Sequence, residues 1–241
     1  MVYSRQEFAA HRFPYKAGQH VIFGGPTGQG KTRLAGALLT YAASPSCPAL
    51  VAVTKPDDKE TADLGARLGY RRVTTWPPPP KWKETFGEKP SGYLIWPQFG
   101  DIDTDTDRAA EITGDLMAHT YAGGAKGKHA ILVMDDTMVK ARVLHLDGRM
   151  VTILAMAGAM GVGLWIFVQK PTDSGRTTLW GFENGTHFFM AKGGEGRMRD
   201  RYVEIAGDNG PIVKRTLPTL KPYQFLYIHR YEGWVCIVDA N

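Results

Sequence analysis

An α/β fold with a mostly parallel central sheet flanked by helices is predicted by three observations. The first is Gly25-Pro26-Thr27-Gly28-Gln29-Gly30-Lys31-Thr32, which reads G-x-x-x-x-G-K-T. A short apolar run (Val21 to Phe23) leads into it and a helical pattern (Leu34, Leu38, Tyr41) leads out. The second is a pair of apolar runs that end abruptly in polar residues: Ala130–Met134 before Asp135-Asp136, and Leu164–Val168 before Gln169. Uninterrupted apolar runs of this length suit strands buried on both faces, as in a parallel sheet. The third is the alternation of such runs with helical patterns, which a parallel sheet needs for its crossovers.

The elements follow in order. Residues 1–18 read as a lead-in whose Phe8, Phe13 and Tyr15 are expected to pack over a nucleotide. The first strand is expected at His20–Phe23, then the glycine-rich loop, then a helix to Ala43 that ends before Ser44-Pro45. Ala49–Thr54 reads as a second strand, and Asp57 or Asp58 caps a helix that runs to Gly69. Residues 70–92 carry Trp76 and four consecutive prolines, an extended surface excursion or a subunit- or DNA-contacting loop. Tyr93–Trp96 is expected to be a strand, at an edge. The run Asp101 to Asp107 has four aspartates but lacks the sixth-position glycine and twelfth-position glutamate of a calcium loop. Those acids instead favour the positive end of a helix over Arg108–Tyr121. Ala122–His129 reads as a flexible basic loop.

Val151–Val168 has no charged residue and approaches the length of a membrane span. Gly158, Gly161 and Gly163 divide it into an apolar helix (Met150, Ile153, Leu154, Ala157) and a buried strand, so it reads as core. Arg5, Glu7, His11 and Arg12 interrupt any leader-like run, so neither a signal peptide nor a membrane association is expected. Two cysteines, Cys47 and Cys236, have no metal-like spacing and fit a reducing, cytoplasmic compartment. With 241 residues and no repeat, one domain over 1–241 is expected; the net charge of +5 is compatible with a polyanionic partner.

The chemistry follows from the motif. Successive backbone N–H groups of a loop of this type curl around the β- and γ-phosphates of a nucleotide such as ATP, and the following helix adds its dipole. Gly28 and Gly30 allow the backbone geometry. The Lys31 ammonium reaches the terminal phosphates and the Thr32 hydroxyl ligates Mg²⁺, with Arg33 next to the loop. In phosphate-loop enzymes a strand such as Ala130–Met134 is expected beside the first strand, where Asp135 serves the magnesium shell. Asp136 is then the candidate to orient or deprotonate the attacking water. The Gln169 amide is positioned to hydrogen-bond the γ-phosphate or that water.

The order of these pieces, followed by Met160-Gly161-Val162-Gly163 and Gln169-Lys170-Pro171, resembles the FtsK/HerA translocase ATPases. Gln169 matches the sensor glutamine of that family and Pro171 its proline. Thr186–Arg197 resembles the next strand and the family's trans-acting arginine finger. That role falls to Arg197, with Arg199, Arg201 and Arg176 as competitors. Pro222–Val238 resembles a closing β-hairpin turning at Glu232-Gly233, which completes a RecA-like P-loop NTPase fold. The family normally has Glu where this chain has Asp136. The resemblance covers residues 20–240 and implies a ring, hexameric or pentameric, that hydrolyses ATP and moves double-stranded DNA irrespective of sequence. Ala122–His129 and Asp173–Leu179 are the candidate pore loops. The size resembles viral genome-packaging ATPases, which implies a capsid or portal partner. The alternatives are a plasmid or chromosome translocase, a Zot-like filamentous-phage assembly ATPase, and a weakly hydrolysing ATP-dependent scaffold.

Overall fold

The computed structural model describes residues 1–78, 89–98, 100–172, 175–193 and 196–239. The proline run from Pro79 and the acid Asp173 of one candidate pore loop lie outside the described residues. The chain opens with β1 (Val2–Ser4) and α1 (Arg5–His11), the helix capped by Ser4 Oγ accepting from Glu7 N at 3.2 Å. Then come β2 (Val21–Gly24), α2 (Lys31–Ala42), β3 (Ala49–Ala52) and α3 (Lys59–Leu68). Helix α3 starts where Asp58 accepts from Thr61 N at 3.0 Å and stops at Gly69, which sits at φ 65. Both ends fall where the sequence places them.

The next elements are β4 (Arg71–Val73), β5 (Gly92–Ile95), α4 (Ile102–Gly124), β6 (Ala130–Met134), α5 (Asp147–Thr152) and β7 (Val162–Val168). The chain closes with α6 (Arg176–Asn184), β8 (His187–Ala191), α7 (Gly196–Ile205), α8 (Gly210–Thr216), β9 (Gln224–His229) and β10 (Trp234–Asp239). Among the described residues these strands form one sheet in the order β1-β10-β9-β8-β2-β7-β6-β3-β5-β4. Neighbours from β8 to β4 run parallel; β9 is antiparallel to both β8 and β10, and β1 pairs parallel with β10. This is a mostly parallel P-loop NTPase sheet with a C-terminal antiparallel hairpin.

Strand alternation sorts the core onto two faces. Val21, Phe23, Trp165, Phe167 and Phe189 point to the side covered by Phe8 of α1 and by Leu34 and Leu38 of α2. Phe23 stacks between Phe167 and Phe189, with ring centroids 4.9 and 5.1 Å apart, so a ladder of phenylalanines crosses β7, β2 and β8. Ile22, Leu132, Leu164 and Ile166 point to the other side, under Leu116 of α4 and Phe182 of α6. Every residue of β6 and β7 is buried, which is why both strands read as plain apolar runs.

Five sequence expectations are corrected. The acid-bearing β6 does not lie beside β2; β7 separates them. Strand β5 is interior, because the short β4, hidden in Arg71-Arg72-Val73, takes the edge. Helix α4 starts at Ile102, so Asp103, Asp105 and Asp107 lie within its first two turns, and it runs to Gly124, so three of the eight residues of the expected basic loop are helical. The Pro-rich excursion starts only after β4. Finally, Phe8, Phe13 and Tyr15 pack away from the phosphate loop. Phe8 meets Tyr227 at 4.8 Å and Phe13 meets His187 at 4.9 Å. Tyr15 lies under Gly163, at the amino end of β7, because the hairpin and α1 enclose that aromatic cluster.

Candidate active site

The carboxyl ends of β2, β7, β6 and β3 open onto one cleft of about 530 Å³. In a parallel sheet those ends gather residues that are far apart in sequence. The phosphate loop supplies Thr27, Gly28, Gly30, Lys31, Thr32 and Arg33 to the lining. Gly28 and Gly30 adopt φ values of 80 and 82, in the region that a side chain disfavours. Lys31 Nζ donates to the carbonyls of Gly25 and Pro26 at 2.7 Å each, so those two residues hold the lysine while Gln29 stays off the lining. Burial lowers the Lys31 pKa to about 8, against the opposing pull of Asp135 and Asp136. Arg33 turns outward in part, with Nε 3.4 Å from Glu60 Oε1.

Gly24 closes β2 directly above Tyr202 of α7; a Cβ there would stand 2.5 Å from the tyrosine hydroxyl. That hydroxyl is buried and has no hydrogen-bond partner among the described residues. On the other flank Gly25 N donates to Val168 O at 2.9 Å, which ties the start of the loop to the residue before Gln169. Gln169 lines the cleft one step beyond β7.

Asp135 and Asp136 also line the cleft. Burial raises the Asp135 carboxyl above the usual range, and Lys140 opposes this. Asp135 Oδ1 accepts from Asp136 N at 2.9 Å, and Asp136 takes a φ of 44, which aspartate tolerates better than most residues. A π-helical turn, Val139–Val143, follows. It buries Lys140 completely, with its ammonium donating to the carbonyl of Asp135. Burial lowers the Lys140 pKa to about 8. Thr137 joins the two central strands: its hydroxyl donates to Met134 O and accepts from Phe167 N, both at 2.9 Å.

Lys55, three residues past β3, pairs with Asp136 Oδ2 at 2.8 Å. Burial works to lower its pKa, but the hydrogen bond to Asp136 and the charges of Asp135 and Asp58 outweigh it and raise it. Lys55 and Tyr223 also line the cleft and Lys140 braces Asp135 from the buried side, and none of the three belongs to a sequence motif. Lys55 had a legible signal, since it follows an apolar strand as Asp135 and Gln169 do. Lys140 had none, because Val-Lys-Ala-Arg reads as an ordinary solvated turn.

Thr32 and Asp135 offer two oxygen donors at one cleft. That fits Mg²⁺, which takes one or two protein oxygens and completes its shell with phosphate oxygens and water. Among the described residues no group of three or more His, Cys, Asp or Glu side chains is arranged to hold a metal. Arg197 lies elsewhere, on an open groove with Pro171, Thr172, Leu179 and Arg201. Arg197 and Arg199 are exposed, whereas Arg201 pairs with Glu204 at 2.6 Å and Arg176 with Asp147 at 3.9 Å.

A glycine-rich loop on β2, a glutamine-ended strand beside it and a carboxylate-ended strand beyond that define the fold of a P-loop nucleoside triphosphatase. Among solved structures the chain is similar to the genome-packaging NTPase B204 of Sulfolobus turreted icosahedral virus 2 in complex with AMPPCP. The identity is 14% over 92% of this chain and 97% of that one, with a TM-score of 0.58. It is also similar to the conjugation coupling protein TcpA of pCW3 with ATPγS (17% identity, 93% and 60% covered, TM-score 0.53). A third likeness is to ATPases 2 and 3 of Thermomonospora curvata EccC (14%, 91% and 36% covered, TM-score 0.54). At these identities the likeness establishes the fold. No family model and no curated protein sequence matches the chain. No helix among the described residues is long and apolar enough to cross a membrane.

Proposed function

We propose that this chain is an ATP-driven double-stranded DNA translocase that loads a viral genome into a capsid, working as a ring in the cytoplasm of an infected cell. The observation that carries the reading is the convergence of Lys31, Asp135, Asp136 and Gln169 on one cleft from three different strand ends. The extent of the fold likeness to a packaging NTPase, nearly end to end in both chains, supports the choice among motors.

In this reading the loop amides and Lys31 bind the β- and γ-phosphates of ATP. Thr32, with Asp135 in support, would hold Mg²⁺, which when bound would supply neutralisation of phosphate charge. Asp136 accepts a proton from water as the water oxygen attacks the γ-phosphorus. The bond to the bridging oxygen breaks, and ADP and phosphate leave. Gln169 loses its γ-phosphate partner, and its loop passes the change to segments that press on DNA phosphates without reading bases. Arg197, exposed and outside its own cleft, serves the cleft of a neighbouring subunit.

A second reading, a scaffold that binds ATP and hydrolyses it weakly, is favoured by one observation: the candidate base Asp136 is already engaged by Lys55 at 2.8 Å. Steady-state ATPase assays with and without double-stranded DNA separate the two. The motor is stimulated severalfold by DNA of any sequence, and Lys31→Ala abolishes turnover. A rate indifferent to DNA selects the scaffold, and unaltered turnover in Lys31→Ala removes the site assignment itself.

A further inference from the structure

We propose that Tyr223 is the nucleobase platform of this cleft, a stacking residue that gives the site its affinity for a nucleoside over a bare polyphosphate. The inference rests on the reading of the cleft as a nucleoside triphosphate site and adds the place of the base.

Three observations carry it. The first is topological. Strand β9 runs antiparallel to β8, so the residues just before Gln224 arrive at the same end of the sheet as the phosphate loop. Tyr223 lines the cleft from there. The acids lie on the opposite flank, because β7 and β6 are on one side of β2 and β8 and β9 on the other. A triphosphate whose terminal phosphate meets Lys31 and the acids directs its nucleoside end to the flank where Tyr223 stands.

The second is the backbone. Lys221-Pro222-Tyr223-Gln224 forms a tight turn in which Gln224 N donates to Lys221 O at 3.1 Å. Proline at the second position and a positive φ at the third are the pattern of a type II turn, whose third position ordinarily requires glycine. Here a tyrosine occupies it at φ 63. A bulky side chain held in this region is strained, and such strain clusters where a side chain must be aimed.

The third is the bracing. Lys221 N donates to Gln224 Oε1 at 3.0 Å, and Gln224 Nε2 donates to Asp239 Oδ2 at 3.3 Å. One glutamine therefore closes the turn and anchors it to β10. Tyr223 is 38% exposed, unlike the core tyrosines Tyr202 and Tyr227, so the core does not account for it.

The test is calorimetric titration of the full chain, with Mg²⁺, by AMPPCP and separately by inorganic tripolyphosphate, which has no base. In the unaltered protein AMPPCP binds more tightly than tripolyphosphate. Tyr223→Gly, which removes the ring and relieves the backbone, weakens AMPPCP about tenfold, the worth of one ring stacked on one base. It leaves tripolyphosphate affinity within about twofold and does not lower the melting temperature. Tyr223→Phe keeps both affinities within about twofold, because the ring face does the binding. The proposal is overturned if Tyr223→Gly keeps its AMPPCP affinity, if both ligands weaken equally, or if Tyr223→Phe loses as much as Tyr223→Gly. Equal affinity of the unaltered protein for the two ligands also overturns it while leaving the phosphate site intact. Failure of the unaltered protein to bind either ligand overturns the nucleotide-site reading underneath.

Discussion

Thr137 is one hydroxyl on which the geometry of the cleft depends, and removing it gives a measurable test. The β6–β7 ladder pairs as far as Met134 with Ile166; beyond that point the strands part toward Asp135 and Gln169. Thr137 spans the gap, donating to Met134 O and accepting from Phe167 N, and it is 2% exposed. Thr137→Val keeps the shape but leaves the buried Phe167 N–H without a partner, at a cost of about 2 kcal/mol. For a chain of this size that lowers the melting temperature by about 6 °C. Thr137→Ser keeps the hydroxyl and loses one methyl group, about 1 kcal/mol. Urea unfolding followed by circular dichroism reads both, with an unchanged m value confirming that the denatured state is not what moved. Turnover should fall with stability in the valine variant, since Asp136 directly precedes Thr137 and Gln169 lies two residues after Phe167. A valine variant at least as stable as the serine variant would refute the argument, because the methyl and not the hydroxyl would then be holding the strands.

Three further outcomes are expected. Asp136→Asn keeps the shape and the tolerance for positive φ, so ATP affinity stays within a few-fold while kcat falls about a hundredfold or more; equal loss of binding in a titration would count against the general-base role. Gly24→Ala drives a methyl toward the Tyr202 hydroxyl 2.5 Å away and costs about 2 kcal/mol by overpacking. Adding Tyr202→Phe, which removes that partnerless hydroxyl, restores most of the loss, and strict additivity in a double-mutant cycle would contradict the contact. Burial lowers the pKa of His20 to about 4 and of His187 to about 3, from 6.5. At these two histidines, below pH 6.5, the unfolded chain therefore binds more protons than the folded one. Stability is full above that pH and declines as pH falls toward the folded values, by about 3 kcal/mol for His20 alone. Thermal melts from pH 7.5 to 4 measure the slope. His20→Asn, whose side-chain oxygen can accept from Leu164 N as the ring nitrogen does at 2.9 Å, flattens it.

What was legible in the sequence was local, or was written as strong burial. The phosphate loop announces itself because its backbone geometry demands glycines at fixed offsets. Asp135 and Gln169 stand out because β6 and β7 are apolar on both faces, so a polar residue at their ends marks the point where the sheet meets solvent. Asp58 and Gly69 bracket α3 by capping chemistry that needs no tertiary context. Strand order carries no such mark. Nothing within Ala130–Met134 says that β7 will slip between it and β2, because a parallel crossover is decided by where helices pack. Strand β4 escaped notice since two of its three residues are arginines, and Arg72 lies over the Trp96 ring at 4.1 Å rather than in an apolar run. The aromatic lead-in was misplaced for a related reason. Phe8, Phe13 and Tyr15 are plainly apolar, but only the hairpin decides which end of the sheet they cover. Tyr223 could not be singled out at all: the conformation that aims it is invisible in a proline followed by a tyrosine.

The pairing of Val2 with Ile237 has a consequence for how the molecule is made. A ribosome releases β1 (Val2–Ser4) long before it releases β10 (Trp234–Asp239), the strand that β1 lies against. Throughout synthesis the opening segment is therefore a template with no match, and Phe8 has no Tyr227 or Trp234 to rest on. Contacts so distant in sequence close slowly. Until β10 emerges, β1 and Phe8 lack the partners that bury them in the finished fold.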